Sequence, residues 1–208
     1  MPRPRTHDET LRLKLLDRAG ELISSEGPKA LSLRKLAADA GTSTTAVYSL
    51  FGSKPDLVNA LYVEGFRRFG ARLAAVPRTG DAVTDLVHLG AAYRESALAD
   101  PHLYAIMFTR SIPGFEPNAE AERLALATLE PLGRIVHDGV ASGQFADVAP
   151  EVITISSWGL VHGLVSLELS GSLPPGYSMP DSYEKALWAN ASSWLRNPRE
   201  TPAGPDPS

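Results

Sequence analysis

Small hydroxyl side chains crowd one stretch of the chain, AGTSTTAVYSLFGSKPDL at residues 40–57. Its hydroxyl and basic side chains include Thr42, Ser43, Thr44, Thr45, Tyr48 and Lys54. Hydroxyl groups both donate and accept hydrogen bonds, a threonine methyl can contact another methyl group, and a lysine carries a compact positive charge. Such a set is poorly suited to a buried core and well suited to a polar, anionic partner.

Two short predicted helices must position these side chains. Residues 33–40 are predicted as a two-turn helix, because Ser32 is a good N-cap and Gly41 closes the helix. Thr42 or Ser43 caps a second helix, which ends at the Phe-Gly pair that follows. Two helices joined by a tight glycine turn form a helix-turn-helix.

The second helix of such a motif enters the major groove of DNA with its N-terminus leading. A groove about 12 Å wide admits a helix only where the leading residues are small. Thr42, Ser43, Thr44 and Thr45 are small, and their hydroxyls can bond base edges or phosphates. The helix N-terminus also attracts phosphate through its free N–H groups. The polarity of this segment therefore favours DNA binding.

Helical spacing and cap signals extend over almost the whole chain. The other predicted helices cover residues 10–25, 53–76, 81–98, 101–109, 118–142 with a bend at Pro131, 150–170 and 180–196. No alternating run is bounded by hairpin turns, so we expect no strand pair. The expected fold class is all-α, with an N-terminal three-helix helix-turn-helix domain and a larger α-helical ligand-binding and dimerisation domain.

The composition of the 208 residues excludes several classes of protein. With 43% hydrophobic and 21% charged residues the chain is globular, and without cysteine it has no disulfide, thiolate nucleophile or cysteine-bound zinc. His88, His102, His137 and His162 are scattered, so we expect no metal site. We find no glycine-rich phosphate loop, nucleophile elbow or triad, and therefore expect no cofactor and no catalytic residue.

Charge is distributed unevenly along the chain. Residues 1–54 hold nine basic and six acidic residues, a net charge of +3, whereas residues 55–208 hold 11 and 18, a net charge of −7. A basic end on an acidic body is typical of a module that faces nucleic acid, although a charge of +3 is small enough to arise by chance.

The span of residues 10–61 resembles the DNA-binding domain of TetR-family transcriptional regulators. The matching run is LSLRKLAADAGTSTTAVYSLFGSKPDLVNAL, with its alanine-rich helix, turn glycine, tyrosine, phenylalanine and Ser-Lys pair. The resemblance implies that Tyr48 and Lys54 contact phosphates and that Thr44 and Thr45 contact bases. It implies no enzymatic activity.

Some residues near this motif keep two interpretations. Of Arg34 and Lys35, one lies near the DNA backbone and the other faces solvent, and we count Arg34 with the DNA-binding residues. Arg3 and Arg5 are either unstructured charge or an arm that enters the minor groove. Ser49 departs from the histidine frequent in the family, which leaves open which base is read.

The chain is expected to divide into four parts. These are a helix-turn-helix domain with an N-terminal arm (residues 1–54), a connecting helix (55–76), a helical effector-binding and dimerisation domain (77–196) and a disordered tail (197–208). The tail, NPRETPAGPDPS, is rich in proline and has no apolar anchor.

The body resembles a TetR subgroup with a Trp-Gly…His-Gly segment, here SSWGLVHGLVSLELSG at residues 156–171. In the family such bodies dimerise and bind a small effector. Candidate pocket residues are Tyr93, Tyr104, Met107, Phe108, Trp158 and His162. A cavity lined by aromatic residues and methionine suits an apolar or aromatic ligand, but aromatic residues at helical spacing also form plain core.

The predicted helix at residues 150–170 carries a stripe of small residues beside an apolar stripe. Candidate dimer-interface residues are Ser156, Gly159, Gly163, Ser166, Leu187 and Trp194. Small residues let helix backbones approach closely, either within the chain or between two copies. Two copies fit better, because a helix-turn-helix reads half-sites about 34 Å apart.

These features predict a homodimeric, ligand-responsive transcriptional regulator, most simply a repressor that a small effector releases from a palindromic DNA operator. The sequence shows neither a secretion signal nor an apolar run long enough for a membrane helix, so we expect a cytoplasmic protein without a membrane partner. An alternative is an all-helical small-molecule-binding protein or enzyme whose N-terminal helices are structural. A third is an architectural DNA binder without an effector.

Overall fold

The computed structural model describes residues 5–108 and 115–196, with side chains from residue 8 onward. Its helices are α1 (Arg5–Glu26), α2 (Leu33–Ala40), α3 (Thr44–Phe51), α4 (Lys54–Ala74), α5 (Ala82–Ala99), α6 (Pro101–Phe108), α7 (Ala119–Ala127), α8 (Glu130–Ala141), α9 (Pro150–Leu169) and α10 (Met179–Ser193), with a 3-10 turn at Pro28–Ala30. Within the described ranges there is no strand, only an isolated bridge between Phe145 and Leu195. The expected all-α fold is confirmed.

The helices form two compact units. The first comprises Met1–Ala71 and Ala99–Thr128, and the second comprises Arg72–Leu98 and Leu129–Ser208. The sequence places residues 99–128 in the body, whereas the structure groups α6 and α7 with the N-terminal helices. The functional boundaries at residues 54 and 76 stay predictions.

The core of the first unit is built on an apolar stripe of α1. Leu15, Leu16 and Leu22 are fully buried, and so are Leu36 of α2 and Val47 of α3. Burying a leucine or valine side chain stabilises a fold by about 1.5–3 kcal/mol. This core holds α2 and α3 against α1 and so determines which face of α3 is left in solvent.

In the second unit, α9 packs against α8 and α10. The inner face of α9 includes the buried residues Ile153, Ser157 and Val165. The hydroxyl of Ser157 donates a hydrogen bond to the side-chain oxygen of Asn190 on α10, at 3.2 Å. Such contacts fix the rotation of α9 and leave its opposite face open.

The long helix expected over residues 118–142 is two helices, α7 and α8. The break lies at Thr128, three residues before the bend expected at Pro131. The Thr128 hydroxyl donates a hydrogen bond to the carbonyl of Ala125 at 2.6 Å, and Pro131 has no N–H to continue the helical ladder. The boundary between the two units falls at the same place.

Other helix bounds differ from the expected ones by a few residues. α1 begins at Arg5 rather than residue 10, α4 ends at Ala74 rather than 76, and α10 ends at Ser193 rather than 196. The expected end of α6 at residue 109, the disordered tail at 197–208 and the side chains of Arg3 and Arg5 lie outside the described residues.

Candidate nucleic-acid interface

The turn between α2 and α3 is built by the cap residues expected from the sequence. Ser32 accepts a hydrogen bond from the N–H of Lys35 at 3.5 Å, and Ser43 accepts one from the N–H of Ala46 at 3.1 Å. Gly41 has a φ of +69°, in the left-handed region that favours glycine. The oxygen of Ser43 is therefore engaged as a cap, and its O–H remains a donor.

The helix α3 has an apolar inner face and a hydroxyl outer face. Val47 and Phe51 are buried, whereas Thr45, Tyr48 and Ser49 are exposed. Tyr48 is 53% exposed, a large fraction for an aromatic side chain. Among the described residues, none of these three hydroxyls has a hydrogen-bond partner. The outer face is thus available to a polar partner.

Two other expected contact residues lie at the edge of this face. Thr42 and Thr44 are half-buried, so they present less surface than Thr45. The N–H of Thr42 bonds the carbonyl of Ala37 at 2.9 Å, which makes its backbone part of the turn. Thr44 is the first residue of α3, where its side chain is close to the helix N-terminus.

The basic residues near the motif differ in their engagement. Arg34 is exposed and, in the part of the chain that the structure describes, pairs with no carboxylate. Lys35 pairs with Glu26 at 2.6 Å. Lys54 is exposed at the start of α4, and its ammonium donates a hydrogen bond to the carbonyl of Pro28 at 3.2 Å. Arg34 and Lys54 are therefore the better placed cations for an external anion.

Two basic residues of α1, which the sequence does not single out, attach α2 to α1. The ammonium of Lys14 donates to the carbonyl of Ala40 at 2.9 Å, at the C-terminus of α2. The guanidinium of Arg18 bonds Glu21 and Asp39, and these hydrogen bonds raise its pKa. Lys14 and Ala40 are 26 residues apart and Arg18 and Asp39 are 21 apart, so no local pattern predicts either contact.

A buried ionic network joins α1, α4 and the start of α6. Glu64 has a side chain only 3% exposed, and it accepts hydrogen bonds from Arg67 at 2.7 Å and Arg68 at 2.6 Å. Arg68 also pairs with Asp17 at 2.9 Å and Asp100 at 3.2 Å. Burial alone would raise the pKa of Glu64, but the arginine hydrogen bonds outweigh it and lower the pKa. The network holds α1, which carries the helix-turn-helix, in place within the first unit.

Three of the six pocket candidates, Tyr104, Met107 and Phe108, lie on α6 in the first unit. The rings of Tyr104 and Phe108 belong to a cluster of packed rings, which comprises Tyr62, Phe66, Phe69, Tyr104, Phe108 and Phe115. The ring centroids of Tyr104 and Phe108 are 4.8 Å apart. Met107 fills the space beside Gly65, where a Cβ would overlap its sulfur. These contacts are those of a packed core.

The other three candidates, Tyr93, Trp158 and His162, meet in the second unit. The hydroxyl of Tyr93 lies 3.1 Å from Nδ1 of His162, and the ring centroids of Trp158 and His162 are 6.0 Å apart. Burial lowers the pKa of His162 and so favours the neutral imidazole. The Trp-Gly…His-Gly segment therefore presents its two rings beside a tyrosine of α5.

A separate cavity of about 150 Å³ in the second unit is lined by none of the six candidates. Its lining consists of Leu73, Ala74, Val76, Pro77, Arg78, Asp85, Leu89, Pro131, Arg134 and Ile135. Burial alone would raise the pKa of Asp85, but hydrogen bonds from Thr79 and Arg78 outweigh it and lower the pKa. In the ranges that the structure describes, no group of three acidic or histidine side chains could hold a metal ion.

The small-residue stripe of α9 lies on the open side of the helix. A Cβ added to Gly159 or Gly163 would meet no atom within 4 Å, and Ser156 and Ser166 are half-buried. Only 22% of the apolar window of α9 is buried inside the chain, and Ile155 is 59% exposed. One side of this apolar helix is therefore open to a partner.

By length and composition, α9 is also apolar enough to cross a membrane, the one such helix among the described residues. A single helix of this kind is weak evidence for a membrane span, because the core helices of soluble proteins pass the same test. Four serines and threonines together with two glycines line its sequence, PEVITISSWGLVHGLVSLEL, which makes it polar for a lipid-facing helix.

The chain covers the two interface candidates at α10, Leu187 and Trp194, to different extents. Leu187 is only 5% exposed, because it fills the space beside Gly90, where a Cβ would overlap it. Little of the Leu187 side chain is therefore left for a second copy to contact, and its place in the dimer interface stays a prediction. Trp194 is half-buried as the C-cap of α10. Trp188, which the sequence analysis missed, is 41% exposed on α10 and offers the larger apolar surface.

Sequence comparisons match both halves of the chain to known families. Residues 15–61 match the family described as bacterial regulatory proteins, tetR family, and residues 86–189 match the tetracyclin repressor-like C-terminal domain. The HTH-type transcriptional regulator Rv1816 of Mycobacterium tuberculosis is 24% identical over 155 residues, 69% of this chain. The match spans 64% of that relative, less than two thirds of its length.

Solved structures share the fold over most of the chain. A protein of unknown function from Rhodococcus sp. RHA1 has a TM-score of 0.76 at 27% identity, covering 90% of this chain and 96% of that one. The TetR family transcriptional regulator PfmR from Thermus thermophilus has a TM-score of 0.68 at 20% identity, covering 88% and 98%. The second likeness supports the fold alone.

A helix-turn-helix with an exposed hydroxyl face, attached to a helical body, is the architecture typical of DNA-binding transcriptional regulators. The chain belongs to the TetR family of such regulators, whose two domain descriptions its sequence matches. Membership of the Trp-Gly…His-Gly subgroup stays a prediction.

Proposed function

We propose that this chain is a homodimeric, ligand-responsive repressor, which binds a palindromic operator and is released from it by a small apolar or aromatic effector. The observation that carries the proposal is the outer face of α3, where exposed hydroxyls lie opposite the buried Val47 and Phe51. A DNA-binding repressor works in the cytoplasm, where its operator is. The proposal includes no membrane partner and no cofactor.

In the proposed complex, α3 enters the major groove with its N-terminus leading. Thr44 and Thr45 contact base edges, and Tyr48 and Lys54 contact phosphates. Arg34, Thr42 and Ser43 complete the DNA-binding set at the turn. Exposure supports Arg34, Ser43, Thr45, Tyr48 and Lys54 most directly, since these side chains are open to solvent, whereas Thr42 and Thr44 are half-buried.

A second copy of the chain is the proposed partner of α9. Ser156, Gly159, Gly163 and Ser166 let two helices approach closely, and the exposed Ile155 supplies apolar area to bury. Trp194 stays a candidate at the rim of this interface. A homodimer has two-fold symmetry, so it presents two recognition helices to two half-sites.

The proposed effector contacts Tyr93, Trp158 and His162. An aromatic ligand can stack on Trp158, and a single polar group on it can bond the hydroxyl of Tyr93 or the imidazole of His162. Tyr104, Met107 and Phe108 of α6 also stay candidate residues of the effector pocket. An effector that binds the two conformations with a difference of about 1–3 kcal/mol changes the affinity for DNA about fivefold to 150-fold.

The helix α4 is the proposed lever between effector and DNA. It starts with Lys54 beside the helix-turn-helix, and it crosses from the first unit into the second between Ala71 and Arg72. A change in the second unit therefore acts on the DNA-binding unit through a continuous helix. This proposal requires two states that the effector distinguishes.

The test is binding of the purified protein to duplex DNA from its own upstream region, over a series of salt concentrations, with a random duplex as control. We expect sequence-selective binding by two copies per operator and a steep decrease of affinity with salt. Weak and equal binding to both duplexes calls for selection from a random pool. If the protein selects no duplex from that pool at low salt, the proposal of DNA-binding repression is refuted.

A further inference from the structure

The 3-10 turn before α2 touches the start of α4. The ammonium of Lys54 donates a hydrogen bond to the carbonyl of Pro28 at 3.2 Å. That carbonyl and the N–H of Lys29 belong to the same planar peptide unit. The charge of Lys54 therefore lies against the peptide that carries Lys29, although the two lysines are far apart in the sequence.

Within the described ranges, no carboxylate pairs with either lysine, and both side chains are exposed. The acidic residues nearest to the two lysines in the sequence have other partners. Glu26 pairs with Lys35 at 2.6 Å, and Asp56 accepts a hydrogen bond from the hydroxyl of Ser53 at 2.5 Å. The ammonium of Lys54 lies beside the backbone of Lys29, so flexible stems allow both ammonium groups to contact an anion bound there.

The turn that carries Lys29 has a defined backbone. Gly27 has a φ of +82°, which favours glycine, and Pro28 fixes its own φ. The N–H of Ala30 bonds the carbonyl of Gly27 at 3.1 Å and closes the turn. Lys29 is thus displayed from a rigid support, so that binding an anion costs only the ordering of its side chain.

We infer that Lys29 is a further DNA contact and that Lys29 and Lys54 form a two-lysine site for adjacent phosphates of the operator backbone. The inference rests on the proposed operator binding. Lys54 follows the end of α3 by three residues, and the turn with Lys29 precedes α2. The two lysines therefore flank the helix-turn-helix along the chain. DNA offers consecutive phosphates, which suit two ammonium groups with flexible stems.

The test compares the variants Lys29→Gln, Lys54→Gln and the double variant by their salt-dependent affinity for DNA. The matched control is Lys185→Gln, since Lys185 is an exposed lysine of α10 without a carboxylate partner in the described residues. We expect Lys29→Gln to lower the slope of log affinity against log salt by about one and to weaken binding about threefold to tenfold. The loss is equal on the operator and on a random duplex, and the double variant loses about twice the slope.

A second readout separates a DNA contact from a structural role. In the wild type, acetylation of the Lys29 and Lys54 amines should slow when operator DNA is bound, while acetylation of Lys185 stays unchanged. The unfolding midpoint of Lys29→Gln should equal that of the wild type. An unchanged salt slope and no protection of Lys29, with operator binding intact, would overturn the two-lysine site alone. Failure of the wild type to bind any duplex would overturn both proposals.

Discussion

The outer faces of α3 and α9 are both open, but their chemistry is opposite. α3 exposes the hydroxyls of Thr45 and Tyr48, whereas α9 exposes the apolar side chains of Ile155 and Leu167 beside Gly163. A hydroxyl is well solvated by water and gains by bonding base edges or phosphates. An apolar side chain gains about 25 cal/mol for each Å² that a partner removes from water. The first face fits DNA and the second fits another protein surface.

The inner faces of the two helices differ as well. α3 is held by the buried Val47 and Phe51, while α9 is held partly by polar contacts, such as those of Ser157 and His162. The class of partner therefore follows from the atoms that a helix leaves in water.

The substitution Gly163→Leu on the open face of α9 should break the proposed dimer. The new side chain meets no atom of its own chain near the Cβ, and it improves helix propensity by about 0.8–1 kcal/mol, so the monomer should stay folded. A monomer engages one half-site only, and operator affinity should fall about 100-fold or more. Light scattering gives the oligomeric state, and a binding titration gives the affinity.

The control for this variant is Gly133→Leu on α8. Gly133 is also a helical glycine whose Cβ would meet nothing within 4 Å. The variant Gly133→Leu should leave both the oligomeric state and the affinity for the operator unchanged. If light scattering shows that Gly163→Leu is still a dimer, the interface lies on another face. The open face of α9 would then not be the surface that binds a second copy.

The variant Arg68→Met should destabilise the first unit and so disturb α3 from within. Glu64 keeps Arg67 but loses its shorter hydrogen bond, and the contacts to Asp17 and Asp100 vanish. Removing one partner of a buried ion pair is costly, and we expect the free energy of unfolding to fall by about 2–3 kcal/mol. Chemical denaturation measures it.

Arg67→Met is the matched control for that variant. Its side chain is 57% exposed and, among the described residues, pairs only with Glu64, so its loss should cost about 1 kcal/mol or less. Equal losses for the two variants would show that Arg68 does not act as the junction of α1, α4 and α6.

The elements and caps around α3 could be predicted because their signals are local. Ser32, Gly41 and Ser43 act within a few residues of themselves, and each one has the role expected from the sequence. Helical spacing likewise puts Val47 and Phe51, which are four residues apart, on one face of α3. Local propensity thus suffices for this part of the fold and of the candidate site.

The tertiary contacts could not be predicted in this way. The spacing of Glu64, Arg67 and Arg68 shows that they share one helix face, but nothing local points to Asp17 or Asp100. Likewise, an apolar-small pattern does not say which positions the chain itself covers, and Leu187 is covered where Trp188 is not. Long-range partners depend on how helices pack, which a pattern within one helix does not contain.

The substitution Thr45→Val should change which base is preferred at one operator position. It keeps the shape and one methyl group but removes the exposed hydroxyl, so a base that bonded this hydroxyl loses about 1–3 kcal/mol of discrimination. Binding to a set of operators with each base at each position shows the change. A uniform loss over all positions would instead assign Thr45 to the backbone.

The substitution Tyr48→Phe should have a smaller effect that is independent of sequence. Loss of a hydrogen bond to a charged phosphate costs about 1.5–3 kcal/mol at most, and less where water substitutes at an exposed site. Tyr177→Phe is the control, because Tyr177 is 68% exposed in the loop before α10. If the two variants bind operator and random DNA equally well, Tyr48 makes no phosphate contact through its hydroxyl.

The smallest expected effect concerns the inner side of α9 and its dependence on pH. Burial lowers the pKa of His162 from its ordinary value of 6.5, so below that pH the unfolded chain takes up a proton that the folded chain resists. The stabilising contribution of the neutral His162 imidazole is therefore complete above pH 6.5, and it decreases as the pH falls towards and through the lowered pKa of the folded chain. Glu64 and Asp85 also have lowered pKa values, but their contributions are lost only at lower pH, below the ordinary values of 4.5 and 3.8.

Unfolding midpoints between about pH 5 and pH 7.5 should decrease with acidification in the wild type and less so in His162→Gln, whose amide can still bond Tyr93. Equal slopes in the two proteins would mean that the neutral imidazole is not what holds this side of α9, and that the inner faces of α3 and α9 differ less than the structure indicates.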